Sequence, residues 1–296
     1  MRWPVRLPAV PIHEIAVGSS FTFMAAEGFR VMALPFPHID PVLVRLGPVE
    51  IRWYGFMYLL GFAAGYLVIR SELRRKKGPI PVEMADDLLF YLILGLLIGA
   101  RVGYALFYNL EAYAQAPWEI LAVWHGGMSF HGGLVGMVIS GWVFSRKHQA
   151  PFMELADIGA LSAPIGLMLG RIGNFINGEL FGRVTTFPWG VVFPGGGLLP
   201  RHPSQLYEAF LEGPVLFGIL WILRVRTRRP GEVLVAFLIG YGVFRFIIEF
   251  FREPDPQLGF IFVGVTMGQI LCLFMIALGI GLFLYLRASD SRPSCR

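Results

Sequence analysis

Residues 261–286 read IFVGVTMGQILCLFMIALGIGLFLYL, a run without one Asp, Glu, Lys or Arg. About 20 apolar residues in helical form cross the ~30 Å hydrocarbon core of a bilayer, so this stretch is long enough to span alone. The rest of the chain has the same character. Of its 296 residues 55% are hydrophobic and only 15% charged, where a soluble domain carries about a quarter charged residues. Mean hydropathy is +0.62. The fold class these values predict is all-α, a polytopic helical membrane protein. The 36 glycines suit membrane helices whose backbones approach closely.

Outward from 261–286, hydropathy places seven transmembrane helices at about 53–70, 85–108, 129–146, 156–177, 205–224, 232–251 and 261–286. Lys and Arg fall unevenly between them. Arg70, Arg74, Arg75, Lys76 and Lys77 follow the first span, Arg146 and Lys147 the third, and Arg224, Arg226, Arg228 and Arg229 the fifth; Arg287, Arg292 and Arg296 follow the last. The alternate loops carry Arg45, Arg52, Arg183, Arg201 and Arg252, with Arg2, Arg6 and Arg30 before the first span. The positive-inside rule then puts the N-terminus outside and the C-terminus in the cytoplasm. Loops 109–128, 178–204 and 252–260 face outward. The net charge of +5 resides largely in the cytoplasmic clusters. They read as topology determinants and anionic-headgroup contacts, and no nucleic-acid partner is expected.

Residues 1–31 hold three prolines, Glu14 and two short apolar runs, but no continuous apolar core. They are expected to be a disordered extension or a mis-assigned start. The membrane domain proper is placed at 32–287, with 288–296 as a cytoplasmic tail. The two cysteines, Cys272 in a span and Cys295 in the tail, suggest neither a disulfide nor a metal site.

Ionisable groups in or bordering a span are costly and are functional candidates by default. The densest group is GRIGNFINGELFGR at 170–183. Arg171, Asn174 and Gly178 share one face if the helix continues that far, and Asn177 and Glu179 lie beside them. The alternative is an interfacial arginine reaching headgroups above a glycine helix stop. In GGMSFHGG, 126–133, His131 opens the third span between glycines. It is placed either to take a proton from a thiol or hydroxyl or simply to bond a backbone carbonyl. Tyr241, Arg245 and Glu249 recur every fourth residue in YGVFRFIIEF, forming one polar stripe. Arg245 and Glu249 can pair, which lowers the cost of both in lipid and also fits a purely structural role. Arg101, in GARVGY, reads as structural or gating. RHPSQLYE, 201–208, reads as a helix start with capping and anchoring groups. No zinc spacing, phosphate-binding glycine loop or Gly-x-Ser-x-Gly turn occurs.

Five segments taken in order, IRWYGFMYLLGF (51–62), GGMSFHGGLVG (126–136), GRIGNFINGELFGR (170–183), RHPSQLYEA (201–209) and IGYGVFRFIIEFFREPD (239–255), resemble the bacterial phosphatidylglycerol–prolipoprotein diacylglyceryl transferase family. The resemblance covers about residues 37–286. It implies a seven-span fold in the bacterial cytoplasmic (inner) membrane, N outside and C inside, with the active site near the outer face. It implies transfer of the diacylglyceryl group from phosphatidylglycerol to the lipobox cysteine of a preprolipoprotein. No cofactor and no metal are implied; the partners are these two substrates and membrane lipid.

On this resemblance Arg171 and Arg245 are expected to hold the departing phosphate, as planar guanidiniums suit its oxygens. Asn174 positions oxygens, and His131 is the candidate base. Glu179 and Glu249 orient the arginines or the glycerol hydroxyls, and Tyr54 and Tyr241 contact the headgroup. Departures from the family pattern are few: the extension 1–31, His125 where an acidic residue is frequent, and a short loop 183–200. A transporter or flippase for an anionic lipid would use the same arginines, but no inverted repeat is visible. A non-catalytic lipid-binding scaffold is a third class.

Overall fold

The structure, a computed structural model, describes residues 13–17, 20–24, 30–47, 49–75, 79–122, 126–227, 229–254, 260–262 and 264–290. In chain order the elements begin with strands β1 (His13–Val17), β2 (Ser20–Met24), β3 (Arg30–Pro35), β4 (Val42–Leu46) and β5 (Val49–Arg52). Helices α1 (Trp53–Arg75), α2 (Ala85–Phe107), α3 (Leu110–Gln115), α4 (Phe130–Lys147) and α5 (Phe152–Ile176) follow. Then come β6 (Val191–Val192), α6 (Ser204–Phe210), α7 (Leu216–Arg226), α8 (Glu232–Ile248), β7 (Phe260–Phe262), β8 (Val265–Thr266) and α9 (Met267–Asp290).

Helices stand at all seven predicted places. Five stretches, Trp53–Arg75, Val82–Phe107, Phe152–Ile176, Ser204–Arg226 and Met267–Ala288, are long and apolar enough to cross a membrane. The other two, α4 and α8, have 18 and 17 residues. Large apolar side chains along the helices stay open, among them Leu59, Leu67, Phe90 and Phe274, each more than 60% exposed. Soluble monomers rarely show so continuous an apolar surface.

Three boundaries differ from the sequence reading. The last helix starts at Met267, not at 261. Instead β7 (Phe260–Phe262) pairs antiparallel with β8 (Val265–Thr266), with Gly264 at φ +83°. Thr266 and Gln269 then close a reciprocal cap: Gln269 N donates to Thr266 Oγ1 and Thr266 N donates to Gln269 Oε1. Second, α5 ends at Ile176, and Gly178 turns out at φ +67°. Gly178 therefore leaves the face that Arg171 and Asn174 share. Third, the fifth span is interrupted by a π-helical turn at Leu211–Val215, where Gly213 leaves helical geometry and Pro214 has no N–H to donate.

The sequence reading also left the loops without strands. β1, β2 and β3 pair antiparallel, and β3 pairs in parallel with β6 through Leu34↔Val191 and Pro35↔Val192. The β4–β5 hairpin leads directly into α1. Of the expected extension, 13–17, 20–24 and 30–31 run as strand, whereas 1–12, 18–19 and 25–29 lie outside the described residues. His125, Cys295 and tail residues 291–296 also lie outside them.

The chain divides into two compact units. The first comprises Met1–Gly61, Pro164–Phe217 and Leu238–Leu278; the second comprises Phe62–Ala163, Gly218–Phe237 and Gly279–Arg296. In the second unit α2 and α4 meet along small residues: Gly95, Gly99 and Gly103 on one side, Gly132, Gly136 and Ser140 on the other. A β-carbon at Gly103 would sit 2.7 Å from the Gly132 Cα, and one at Gly136 would sit 2.8 Å from the Gly99 Cα. Small residues at every fourth position permit this backbone approach. An apolar core of Ile69, Leu73, Leu88, Phe144, Leu155 and Ile158 packs in the same unit. Buried Glu72 pairs with buried Arg224. Asp157 of α5 caps α8, its two oxygens accepting Gly231 N and Leu234 N at 2.8 Å each.

Arg101 of α2 is 4% exposed. Its Nε donates to Ile120 O at 2.9 Å, Nη2 to Glu119 O at 2.6 Å and Ala122 O at 2.9 Å, and Nη1 to Gly127 O at 3.1 Å and to Gly126 O. A guanidinium has five N–H donors, and each meets a main-chain carbonyl. Its ring-face partner is Tyr113. The structural role expected of Arg101 takes this form: it ties down the loop after α3.

Candidate functional site

The site develops in the first unit from the C-terminal end of α5. Gly173 lets α1 approach, since a β-carbon there would stand 3.0 Å from the Tyr54 ring. One residue on, Asn174 is buried and donates from Nδ2 to Glu179 Oε1 at 2.9 Å. Asn177 donates to the same oxygen at 3.1 Å. Glu179 thus folds the turn after α5 back on the helix end. Its own carbonyl accepts from Gln205 Nε2 at 2.6 Å, and Ser204 donates to Leu180 O at 3.2 Å. The start of α6 is docked on that turn, which fixes where α6 projects its next helical face.

That face carries Glu208 and, one turn later, Glu212, both fully buried. Glu208 Oε2 lies 2.6 Å from Arg171 Nε and 2.9 Å from Arg245 Nη1. Arg245 Nη2 lies 3.1 Å from Glu249 Oε2, and Arg245 Nη1 lies 4.0 Å from Glu212 Oε1. One carboxylate oxygen is therefore shared by two guanidiniums from different helices. Tyr241 and Arg252 are within electrostatic reach of the same groups.

The pairing is close in distance but loose in direction. Among the described residues, both oxygens of Glu208, both of Glu212, Glu249 Oε2, Gln205 Oε1 and Arg245 Nη1 are buried without an aligned hydrogen-bond partner. Buried polar atoms are nearly always bonded, so this concentration marks a site suited to a further polar group. An anion bearing hydroxyls matches it, with acceptor oxygens for the guanidiniums and donors for the carboxylates.

The expected residues are thus largely gathered. Arg171, Arg245, Glu249 and Tyr241 share the charged cluster, and the Arg245–Glu249 pair is present. Asn174 and Glu179 bond each other on the adjoining turn. Tyr54 has its hydroxyl 3.1 Å from that of Tyr58 and lies within reach of Asn174. His131 belongs to the second unit. It is exposed in the first turn of α4, where Ser129 caps Gly132 N and the Phe130 ring meets the imidazole edge-on.

Glu208 and Glu212 were missed as ion partners. Glu208 reads from sequence as an anchoring group at a helix start. The available signal was the i, i+4 spacing of two carboxylates inside an otherwise apolar span. Nearby, in the loop before α6, His202 is buried, its Nδ1 3.1 Å from the Tyr207 hydroxyl. Burial pushes its imidazole below the ordinary value, favouring the neutral ring.

By fold and site this is a helical membrane protein that holds an arginine–carboxylate cluster at the end of one of its apolar helices. The chain belongs to the prolipoprotein diacylglyceryl transferase family, whose model matches residues 41–285. It is similar to the phosphatidylglycerol–prolipoprotein diacylglyceryl transferase of Geobacter sulfurreducens, 54% identical over 247 residues, covering 83% of this chain and 95% of that protein. The enzyme of the same name from Rhodospirillum rubrum is 52% identical over 262 residues, 87% of this chain and 96% of the relative. That from Coxiella burnetii is 51% identical over 247 residues, 83% and 95% respectively.

Proposed function

We propose that this chain transfers the sn-1,2-diacylglyceryl group of phosphatidylglycerol to the thiol of a preprolipoprotein lipobox cysteine. A carbon–sulfur bond forms, the bond from that carbon to the phosphate oxygen breaks, and glycerol phosphate leaves with the electron pair. The observation that carries the reading is the single Glu208 oxygen bridging Arg171 and Arg245. It holds together two guanidiniums that would otherwise repel, in a water-poor setting where they favour charge building on a leaving phosphate.

In this reading Arg171 and Arg245 bind the phosphate and act in catalysis. Asn174, Tyr54 and Tyr241 contact the headgroup, and Glu249 holds Arg245 while meeting a glycerol hydroxyl. Glu179 acts through the turn it orders. The thiol must become a thiolate before it attacks carbon. His131 is the base that takes that proton. The arrangement in the membrane follows the lysines and arginines: N-terminus outside, C-terminus cytoplasmic, and the cluster toward the outer face of the inner membrane. The working domain is 32–287. The pairing of Leu34 and Pro35 with β6 lies within it.

The test combines purified protein in detergent, phosphatidylglycerol and a peptide with one lipobox cysteine, read by mass spectrometry. The expected result is a diacylglyceryl adduct on wild type, none with a Cys→Ser peptide, and a large loss with Arg171→Ala. His131→Gln then slows transfer if the imidazole moves the proton. A folded, lipid-binding wild type that forms no adduct would instead favour a flippase for the same anionic lipid.

A further inference from the structure

A cavity of about 420 Å³ opens at the C-terminal ends of α1 and α7, in the second unit. It is lined by Ser71, Glu72, Arg74, Arg75, Trp221 and Arg224, none of which the transfer reaction uses. Glu72 and Arg224 are each more than nine-tenths buried and paired, and Arg75 Nε stands 3.6 Å from the same Glu72 oxygen. One carboxylate and three guanidiniums thus line the cavity, leaving a surplus of positive charge. Surplus alone suits a topology signal, but here it lines a cavity and rests on a fixed ion pair.

The surroundings of the cavity supply the second observation. One turn before Ser71, Leu67 is 66% exposed; on α7, Ile219 before Trp221 is 41% exposed, and Ile222 is also open. Apolar surface therefore runs from the charged opening along both helices. Trp221 is half-exposed at the boundary, with the Arg224 guanidinium over its ring. A charged recess continuous with bare apolar helix faces fits a ligand with a phosphate at one end and acyl chains at the other. A free phosphate leaves the apolar half unused.

We propose that this cavity binds the phosphate headgroup of an anionic phospholipid, with the acyl chains along α1 and α7. The site shares no residue with the Arg171–Arg245 cluster. In the orientation proposed above it draws on the cytoplasmic leaflet, where basic pockets between helices recognise such headgroups.

Native mass spectrometry of the full chain, loaded in detergent with phosphatidylglycerol, counts the lipids retained. Arg74→Gln/Arg75→Gln is expected to lose one tightly held lipid, its retention weakened about thirty-fold, while peptide diacylation at saturating phosphatidylglycerol stays at the wild-type rate. Arg74→Lys/Arg75→Lys, which keeps the charge, is expected to retain it, which separates lost recognition from lost folding. Equal lipid counts in wild type and the Gln variant would overturn the proposal, as would phosphatidylcholine being held as well as phosphatidylglycerol. Inorganic phosphate alone displacing the lipid would overturn the assignment to a phospholipid. The lipid counts do not depend on turnover, so the site stands or falls apart from the transferase reading.

Discussion

Arg101 and Arg245 are both arginines set in apolar helices, the first buried and the second 12% exposed, and their surroundings differ in kind. Arg101 has five donors and five carbonyl acceptors, all from the loop it holds. Arg245 has carboxylates within ion-pair distance, yet its Nη1 and several facing oxygens lack aligned bonds. A guanidinium saturated by main chain is committed to the fold. One surrounded by poorly aligned acids keeps capacity for a ligand. Burial and residue type alone do not separate the two; the identity and alignment of the acceptors do.

The sharpest way to break this contrast is Arg171→Ala, beside Arg245 in the cluster. Diacylglyceryl transfer should fall about a hundred- to a thousandfold, with little change in thermal stability; a melting temperature that collapses with activity would place Arg171 with Arg101 instead. Arg101→Lys should give the converse. Three donors cannot serve five buried carbonyls, so stability should drop by about 2–4 kcal/mol while the folded fraction keeps its affinity for phosphatidylglycerol, measured by thermal unfolding and by KM. Glu208→Gln should lie between, with kcat/KM lowered about tenfold because two guanidiniums lose their shared counter-ion. Phosphatidylglycerol should then raise its melting temperature more than it raises that of wild type, since the lipid restores the missing charge. Smallest is Asp157→Ala, a half-buried carboxylate that caps α8. It should cost about 1 kcal/mol or slightly more and leave transfer kinetics unchanged.

The seven helical segments were legible because hydropathy integrates over a whole span and tolerates local error. Their ends were less so. Thr266 and Gln269 write a capping box, but it lies inside an uncharged run that reads as membrane throughout. Gly213 and Pro214 signal a break in the fifth span, but do not specify a π turn rather than a kink. In the site, Arg171, Asn174, Glu179, Arg245 and Glu249 stood out as costly groups on apolar helices. Glu208 did not, because a carboxylate near a helix start has an ordinary explanation in capping, and its partners lie on α5 and α8. Pairing across helices is a property of packing, and one helix's periodicity cannot express it. Arg101's carbonyl cage was hidden for a similar reason: main-chain acceptors leave no mark on sequence.

The glycine contact between α2 and α4 bears on traffic as well as packing. Where a single methyl group would already collide with the opposite backbone, a hydrocarbon tail has no way through. That seam is a closed wall to diffusing lipid. Any diacylglycerol moiety travelling sideways from the bilayer must take another gap, and a bulky probe anchored at Gly99 would disrupt the helix pair before it obstructed any lipid.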